Sequence, residues 1–341
     1  MRTKRILSGI RTTGPLHLGH YFGALRNWVE LQNSDEYECF FLLADIQALT
    51  THFDRVAEMQ TSMREVALDF LAVGLDPEKS HFVLQSQVSE LAELTMYFSM
   101  FTTLKSLQNN PTIKDELKKQ KEVYYGFVGY PVSQAADILL FTTTPPRLGE
   151  KLLVPVGQDQ VPHLESTRCT AQKFNSLYGE TFVIPDTLIG EIPRLPGLDM
   201  QKMGKSADNA IFLKDDPDSI RKKVMSAFTD PKKIRVDDPG HPDGCAIFQY
   251  YTALAPELMQ DVETKCIAGE LGCVADKKRL SEILIDFLNP IRERRQHFGK
   301  NPDIVNQAIR KGTERAREIA AITMKAVRSA MNIDYLDIFK T

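Results

Sequence analysis

Four short stretches of this 341-residue chain carry side chains whose types and spacing suit chemistry. In "GPLHLGHYFGAL" (14–25), His17 and His20 stand three residues apart around Gly19. At the mouth of a helix that spacing puts both imidazoles on the first turn, where unpaired N–H groups and a partial positive charge attract anions. Two ring donors beside a residue without Cβ suit phosphate oxygens. A capped helix with two surface histidines fits the same residues about as well. "QKMGKSADNA" (201–210) sets Lys202 and Lys205 on either side of Gly204, with Met203 between and Ser206 after. Ammonium groups on a glycine-bearing loop are movable point charges for polyphosphate, although a solvated basic loop is the commoner origin of such a run. "PVGQDQVPH" (155–163) ends an apolar run at Gly157 and continues with Gln158, Asp159 and Gln160. A carboxylate there suits ribose hydroxyls or, as simply, a helix N-cap. Tyr130, Gln134 and Asp137, spaced by four and three, share one helical face. Asp137 has apolar neighbours, so its carboxylate needs a ligand hydrogen or exposure to water.

The intervening pattern alternates strands and helices. "RILSGI" (5–10) reads as a short buried strand and "RTTGP" as a turn. Helical spacing then runs through Leu18, Phe22, Leu25, Trp28, Val29 and Leu31. "YECFFLLADIQAL" (37–49) is continuously apolar, as central parallel strands are. Residues 54–73 are helical, "HFVLQSQV" (81–88) is a third strand, and a helix follows from Ser89 to about Leu107. The polar stretch 108–122 reads as a solvated excursion of loop and helix. A helix (130–141), an inserted surface loop (142–150), a strand (151–157) and a helix (162–178) complete the series. This order predicts an α/β fold built on a Rossmann-like, doubly wound parallel sheet, with ligands at the carboxyl ends of the strands. After Ser206 helical spacing dominates, at 215–228, 246–259, 276–298 and 302–331. The chain therefore divides into a catalytic domain, 1–214, and an all-helical C-terminal domain, 215–341.

With 43% hydrophobic and 26% charged residues, the composition is that of an ordinary globular protein. The net charge of −3 is unevenly spread: residues 277–341 hold 14 Lys and Arg against 8 Asp and Glu, so the remainder is acidic. A basic end leaves room for a nucleic-acid partner. Cys39, Cys169, Cys245, Cys266 and Cys273 are odd in number and form no C-x-x-C pair, which favours reduced thiols over a zinc or disulfide framework. "MRTKRILSGIRTTG" is no secretory signal, and no apolar run reaches the length of a membrane span. A cytoplasmic location is expected.

His17-Leu18-Gly19-His20 resembles the H-I-G-H signature of the class I aminoacyl-tRNA synthetases, and Lys202-Met203-Gly204-Lys205-Ser206 resembles their K-M-S-K-S signature. The resemblance covers essentially the whole chain. "SGIRTTGPLHLGHYFGALRNW", "AADILLF", "VPVGQDQ", "FTDP" and the final helices are similar to the bacterial members that handle tryptophan. It implies an ATP-dependent ligase that converts L-tryptophan to its adenylate and passes it to tRNA(Trp), with Mg2+ accompanying ATP, in a symmetric homodimer. By the same resemblance His17, His20, Lys202 and Lys205 are catalytic. Arg11, Thr12, Thr13, Gly19, Gly157, Gln158, Asp159, Leu195, Met203, Gly204 and Ser206 join His20 and the lysines around ATP. Leu7, Tyr130, Gln134, Asp137, Ile138, Val154, Val156 and Gln160 surround tryptophan. No protein metal ligand is expected. The basic final helices, with Arg292, Arg294 and Arg295, are expected to meet tRNA phosphates.

Three positions depart from that pattern. Arg11 replaces a common glutamine, Gly204 a serine, and Gln134 a methionine. The last makes Tyr130-x3-Gln134-x2-Asp137 similar to the tyrosine-specific members, so tyrosine is the rival substrate. Those members carry a tyrosine on the first strand where this chain has Leu7. One acceptor, Asp137, among apolar Leu7, Val154 and Val156 suits an indole N–H, which only donates. A small-molecule adenylyltransferase with the same histidines would not need the helical domain. A silent RNA-binding relative could lose the lysine loop, which is present.

Overall fold

The computed structural model describes residues 4–118, 122–142, 151–157, 161–189, 195–205, 207–335 and 338. Its strands are β1 (Lys4–Arg11), β2 (Tyr37–Ala44), β3 (Ser80–Leu84), β4 (Lys151–Val156) and β5 (Asp186–Ile189). They form one parallel sheet in the order β3-β2-β1-β4-β5. Winding runs from β1 outward to β3, then returns past β1 to β4 and β5, so strand order reverses between β1 and β4. The crevice at their carboxyl ends is the natural ligand site of such a sheet.

The helices are α1 (Leu18–His20), continued by a π-helical turn at Tyr21–Leu25, then α2 (Arg26–Asn33), α3 (Asp45–His52), α4 (Val56–Val73), α5 (Glu90–Ser99), α6 (Leu104–Asn109), α7 (Pro111–Leu117), α8 (Tyr125–Leu139) and α9 (Val161–Tyr178). Beyond the sheet come α10 (Pro217–Met225), α11 (Ala246–Leu254), α12 (Met259–Ile267), α13 (Cys273–Lys300) and α14 (Pro302–Ala330). From Cys39 to Ala44 β2 is buried on both faces, as a central parallel strand requires. Its alternating side chains feed two cores. Phe41 stacks on Trp28 with ring centroids 4.6 Å apart, and Phe70 and Phe82 join them. Phe40 faces the other way, toward Phe141, in the core that also holds Phe98, Phe174 and Phe182.

The Rossmann-like expectation is met, with local differences. The strand expected over 37–49 stops at Ala44, because Asp45 accepts from the backbone N–H groups of Ile46 (3.1 Å) and Ser86 (2.9 Å) and starts α3. An apolar run alone does not separate a buried strand from the helix after it. The helix expected from Ser89 breaks between α5 and α6, where Thr103 caps Ser106 at 3.2 Å. The excursion at 108–122 contains α7, and the insertion beyond Thr142 lies outside the described residues. At four residues β5 is too short to show periodicity, and α12 falls in the gap between the helical spacings at 246–259 and 276–298.

The basic end is spent on the acidic body. Arg315 meets Glu38 at 2.8 Å, Arg328 meets Glu93 at 2.7 Å and Lys311 meets Glu78 at 3.0 Å. The arginines expected to face tRNA are bonded to the body instead, Arg292 buried, Arg295 half-buried and Arg294 still exposed, which corrects that reading. Arg292 is buried and donates to the Asp215 and Ile285 carbonyls, and Arg294 Nε donates to Ala72 O at 2.6 Å. Arg295 pairs with Asp69 at 2.7 Å and Glu65 at 2.9 Å. The cause is the packing of α13 along α4, which buries those acids and must neutralise them.

Helix α14 returns to cover the open edge of β3. A Cβ on Gly312 would stand 2.3 Å from Phe82 O, and Leu84 N–H donates to Thr313 Oγ1 at 3.0 Å. We expect Gly312→Ala to push α14 off the strand and cost about 3 kcal/mol, a typical overpacking penalty. Urea denaturation reads this directly, and an unchanged midpoint would refute the close approach. Among the described residues no helix is long and apolar enough to cross a membrane.

Candidate active site

The first strand delivers the chain to the switch point at Arg11, whose guanidinium meets the Thr51 hydroxyl. Gly14 turns with φ of 113°, in the left-handed region that glycine enters without strain. Leu16 N–H donates to Asp69 Oδ2 at 2.7 Å. His17 pairs with Phe212 in an antiparallel bridge, with Leu18 N–H to Ile211 O at 3.0 Å and Leu213 N–H to Leu16 O at 2.9 Å. The segment after the lysine loop is thereby zipped to the histidine loop.

The His17 and His20 ring centroids are 3.8 Å apart. The His17 backbone N–H donates to His20 Nδ1 at 3.3 Å, which leaves the His20 proton on Nε2. Burial, reinforced by the Lys205 charge, lowers the His17 pKa to about 4. Burial, then His17 and Lys205, hold His20 well below the usual histidine range. Both rings are neutral at pH 7, so each offers one N–H. Buried Thr12 Oγ1 and His17 Nδ1 have no partner among the described residues. Such groups invite a ligand.

The lysine loop closes over this turn. Met203 Sδ lies 3.3 Å from Gly19 N, and a Cβ on Gly19 would come within 3.2 Å of that sulfur and 3.0 Å of the His17 ring. Gly19 thus lets the two signatures touch. Lys205 Nζ donates to Gly14 O at 2.6 Å and Thr13 Oγ1 at 3.3 Å. Burial lowers the Lys205 pKa to about 8, against the pull of the Asp69 carboxylate and with Arg11 adding repulsion. Lys202 is exposed. Asn209 holds the loop's shape. Its Oδ1 accepts from Gly204 N–H at 3.0 Å, while Nδ2 donates to Lys202 O at 3.2 Å and Asp199 Oδ1 at 2.8 Å. Neither Asn209 nor Asp199 was singled out from sequence; the signal was an asparagine in a glycine-bearing loop, where its amide readily bonds nearby backbone. A Cβ on Gly204 would meet Ala207 Cβ at 3.7 Å, so space does not demand glycine there.

Gly157 follows β4 at the switch point, and Leu195 is buried. Gln158, Asp159, Gln160 and Ser206 lie outside the described residues.

On the other side of β1, Leu7, Val154 and Ile138 share one core cluster with Val156 packed against it. The pairing of Ile6 with Leu153 sets Leu7 beside Val154. Asp137 precedes Ile138 on α8 and is only 6% exposed. Gln85 Nε2 donates to both its oxygens at 2.8 Å and Gln47 Nε2 to Oδ2 at 3.3 Å. Burial raises the Asp137 pKa to about 7 against the opposing pull of those amides. Tyr130 and Gln134 are half-buried on the same helix, and the Tyr130 hydroxyl meets His163 Nε2 at 3.1 Å. Gln47 and Gln85 carry no sequence signal, because the turns after β2 and β3 hold no spacing that marks them, and His163 on α9 is a lone histidine without a recognisable partner in the chain.

A doubly wound sheet with paired imidazoles after its first strand and a lysine loop docked on them defines a class I tRNA synthetase. Residues 1–289 match the family described as tRNA synthetases class I (W and Y). The tryptophan–tRNA ligase of Clostridium longisporum is 45% identical, with 99% of each chain covered. That of Aquifex aeolicus is 40% identical, covering 96% of this chain and all of its own. The crystal structure of tryptophanyl-tRNA synthetase from Campylobacter jejuni, complexed with ADP and tryptophan, superposes with a TM-score of 0.83 at 30% identity over 96% of this chain and 99% of that one. The chain belongs to the tryptophan–tRNA ligase family.

Proposed function

We propose that this enzyme activates L-tryptophan with ATP and transfers it to the 2′-hydroxyl of the terminal adenosine of tRNA(Trp). The observation that carries this reading is the docking of the lysine loop on the histidine turn: Met203 Sδ on Gly19 N and Lys205 on Gly14 O. The tryptophan carboxylate attacks the α-phosphorus, forming the adenylate and releasing pyrophosphate. His17 and His20 donate neutral N–H groups to phosphate oxygens, while Lys202 and Lys205 take up the charge of the leaving pyrophosphate. Arg11, Thr12, Thr13 and Gly19 line the nucleotide side with Met203, Gly204 and Ser206. Gly157, Gln158 and Asp159 hold the ribose, and Leu195 lies by adenine. Mg2+, when bound, spreads the phosphate charge. The nucleotide's phosphates are its natural oxygen ligands.

Leu7, Ile138, Val154 and Val156 form an apolar slot for the indole, and Asp137 accepts its N–H. Tyr130, Gln134 and Gln160 serve the polar end of the amino acid. Residues 1–214 act as the catalytic part and 215–341 as the helical, tRNA-binding part, with α14 returning to the sheet. The family resemblance supports a homodimer. A cytoplasmic location fits this role.

The test is ATP–pyrophosphate exchange with tryptophan and tyrosine. The parent should favour tryptophan by about 100-fold, the scale on which an apolar pocket rejects an unpaired hydroxyl. Asp137→Ala should cost about 10- to 100-fold in kcat/KM for tryptophan through the lost charged hydrogen bond. Leu7→Tyr should crowd the indole and lower tryptophan use as well. A parent that prefers tyrosine overturns the substrate assignment.

A further inference from the structure

Asp137 is held by two carboxamides that reach it from different strands. Gln85 follows β3 directly and is 1% exposed; Gln47 lies in the first turn of α3, after β2, and is 8% exposed. We propose that Gln85 and Gln47 are positioning residues that lock Asp137 as a fixed, acceptor-only reader of the substrate's indole N–H. This rests on the assignment of Asp137 made above.

The polarity of the network carries the argument. A backbone N–H can only donate, and that of Gln47 donates to Gln85 Oε1 at 3.1 Å. The Gln85 carboxamide therefore cannot flip without facing a donor with a donor. Its NH2 is committed to the other side, where it meets Asp137 Oδ1 and Oδ2 at 2.8 Å each. Gln47 Nε2 is shared between Ser133 Oγ at 3.1 Å and Asp137 Oδ2 at 3.3 Å. Ser133 lies one turn before Asp137 on α8, so the same amide registers α3 against the helix that carries the carboxylate.

This arrangement has two chemical effects. First, donors on both oxygens prevent rotation of the carboxylate and fix the direction of its remaining lone pairs. Second, they favour the ionised form, because a carboxyl proton would point at an N–H. Burial and the charge of Asp45 on α3 press the other way. An ionised, fully aimed carboxylate accepts a hydrogen and cannot give one. An indole needs only that. A phenol hydroxyl would donate equally well but would need a donor for its own oxygen, which apolar Leu7 and Val154 do not supply. The two glutamines thus favour the ionised, accepting form of a buried acid and offset part of the rise that burial imposes on it.

The experiment measures exchange kcat/KM for tryptophan and for β-(3-benzothienyl)alanine, whose ring sulfur replaces the N–H at nearly unchanged shape. The full chain is compared as parent, Gln85→Met and Gln47→Met, from pH 6 to 9. We expect the parent to favour tryptophan by about tenfold or more, the worth of one charged hydrogen bond. Gln85→Met should erase most of that preference by lowering tryptophan use while leaving the analogue within about threefold of the parent. It should also move the pH below which tryptophan KM rises upward by about one unit, as the acid loses its donors. Gln47→Met, which removes one contact, should move both readouts the same way by less, and it carries the test if Gln85→Met does not fold. If the parent does not distinguish the two amino acids, the Asp137 assignment fails and the proposal with it. If the parent distinguishes them but the variants lose both substrates equally, or neither, the glutamines are packing residues and the proposal alone is overturned.

Discussion

Replacing Lys205 with methionine should slow tryptophanyl-adenylate formation by about 10²- to 10³-fold, the usual loss when one preorganised charge-stabilising group is removed. Tryptophan binding should stay near the parent value, because the ammonium sits on the nucleotide side of the crevice, against Gly14 O and Thr13 Oγ1. Pyrophosphate gathers charge as the P–O bond breaks, so the lysine acts mainly in the transition state, and the loss should fall on the chemical step. Burial adds a pH signature. With its pKa lowered to about 8, Lys205 is charged below that pH and loses its proton as pH rises through it. The parent's kcat/KM for ATP should therefore fall on the alkaline side, and this limb should be missing in Lys205→Met. Single-turnover adenylate formation across pH 6.5–9.5 measures both effects. An unchanged rate at pH 7 would remove the lysine loop from the mechanism.

Arg295→Met should destabilise the fold by about 3–5 kcal/mol, the range seen when one partner of a buried ion pair is removed. Asp69 has no exposed surface and accepts from both Arg295 and the backbone N–H of Leu16. Without the guanidinium a charged Asp69 would face Glu65 in the interior, and the histidine turn hung from Leu16 would loosen with it. Exchange and tRNA charging should fall together, because the arginine serves the adenylation site rather than a tRNA surface. Adding Asp69→Asn keeps an acceptor for Leu16, removes the orphaned charge and should restore most of the stability. By contrast, breaking the exposed Arg221–Glu282 pair at 2.9 Å should leave the stability near that of the parent. Equilibrium denaturation of the single and double variants decides the matter: an Arg295→Met protein as stable as the parent would show that the pair is dispensable.

Much of this was legible in the primary structure because it is local. The histidines sit on a turn that follows an apolar strand, and the lysines on a glycine-bearing loop, so residue type and order were enough to place them at one sheet edge. The groups that hold them were not legible. Asp69 reads as a polar position in the helical pattern of 54–73; only the approach of α13 reveals it as a buried counter-charge to Arg295. Gln85 and Gln47 lie 38 positions apart, and nothing short of the register of β2 against β3 brings both to Asp137. The C-terminal charges misled for the same reason. Net charge along a segment says nothing of which face it occupies, and here Arg315, Arg328 and Arg295 meet acids far away in the chain. Strand ends failed where apolarity continued into a helix, at Ala44, and helix ends where Thr103 supplied a cap inside an unbroken polar pattern.

The bond from Leu84 to Thr313 spans 229 residues. At about 5–20 residues per second, a ribosome needs roughly 10–45 s to add that length. For that interval each nascent chain carries β3 with its outer edge bare, a row of unpaired amide groups open to another strand. The order of synthesis thus makes the last long helix the one that withdraws this edge from chaperones and neighbouring chains. A messenger cut short before α14 would yield a product with both the histidine turn and the lysine loop intact and an adhesive border it could never close.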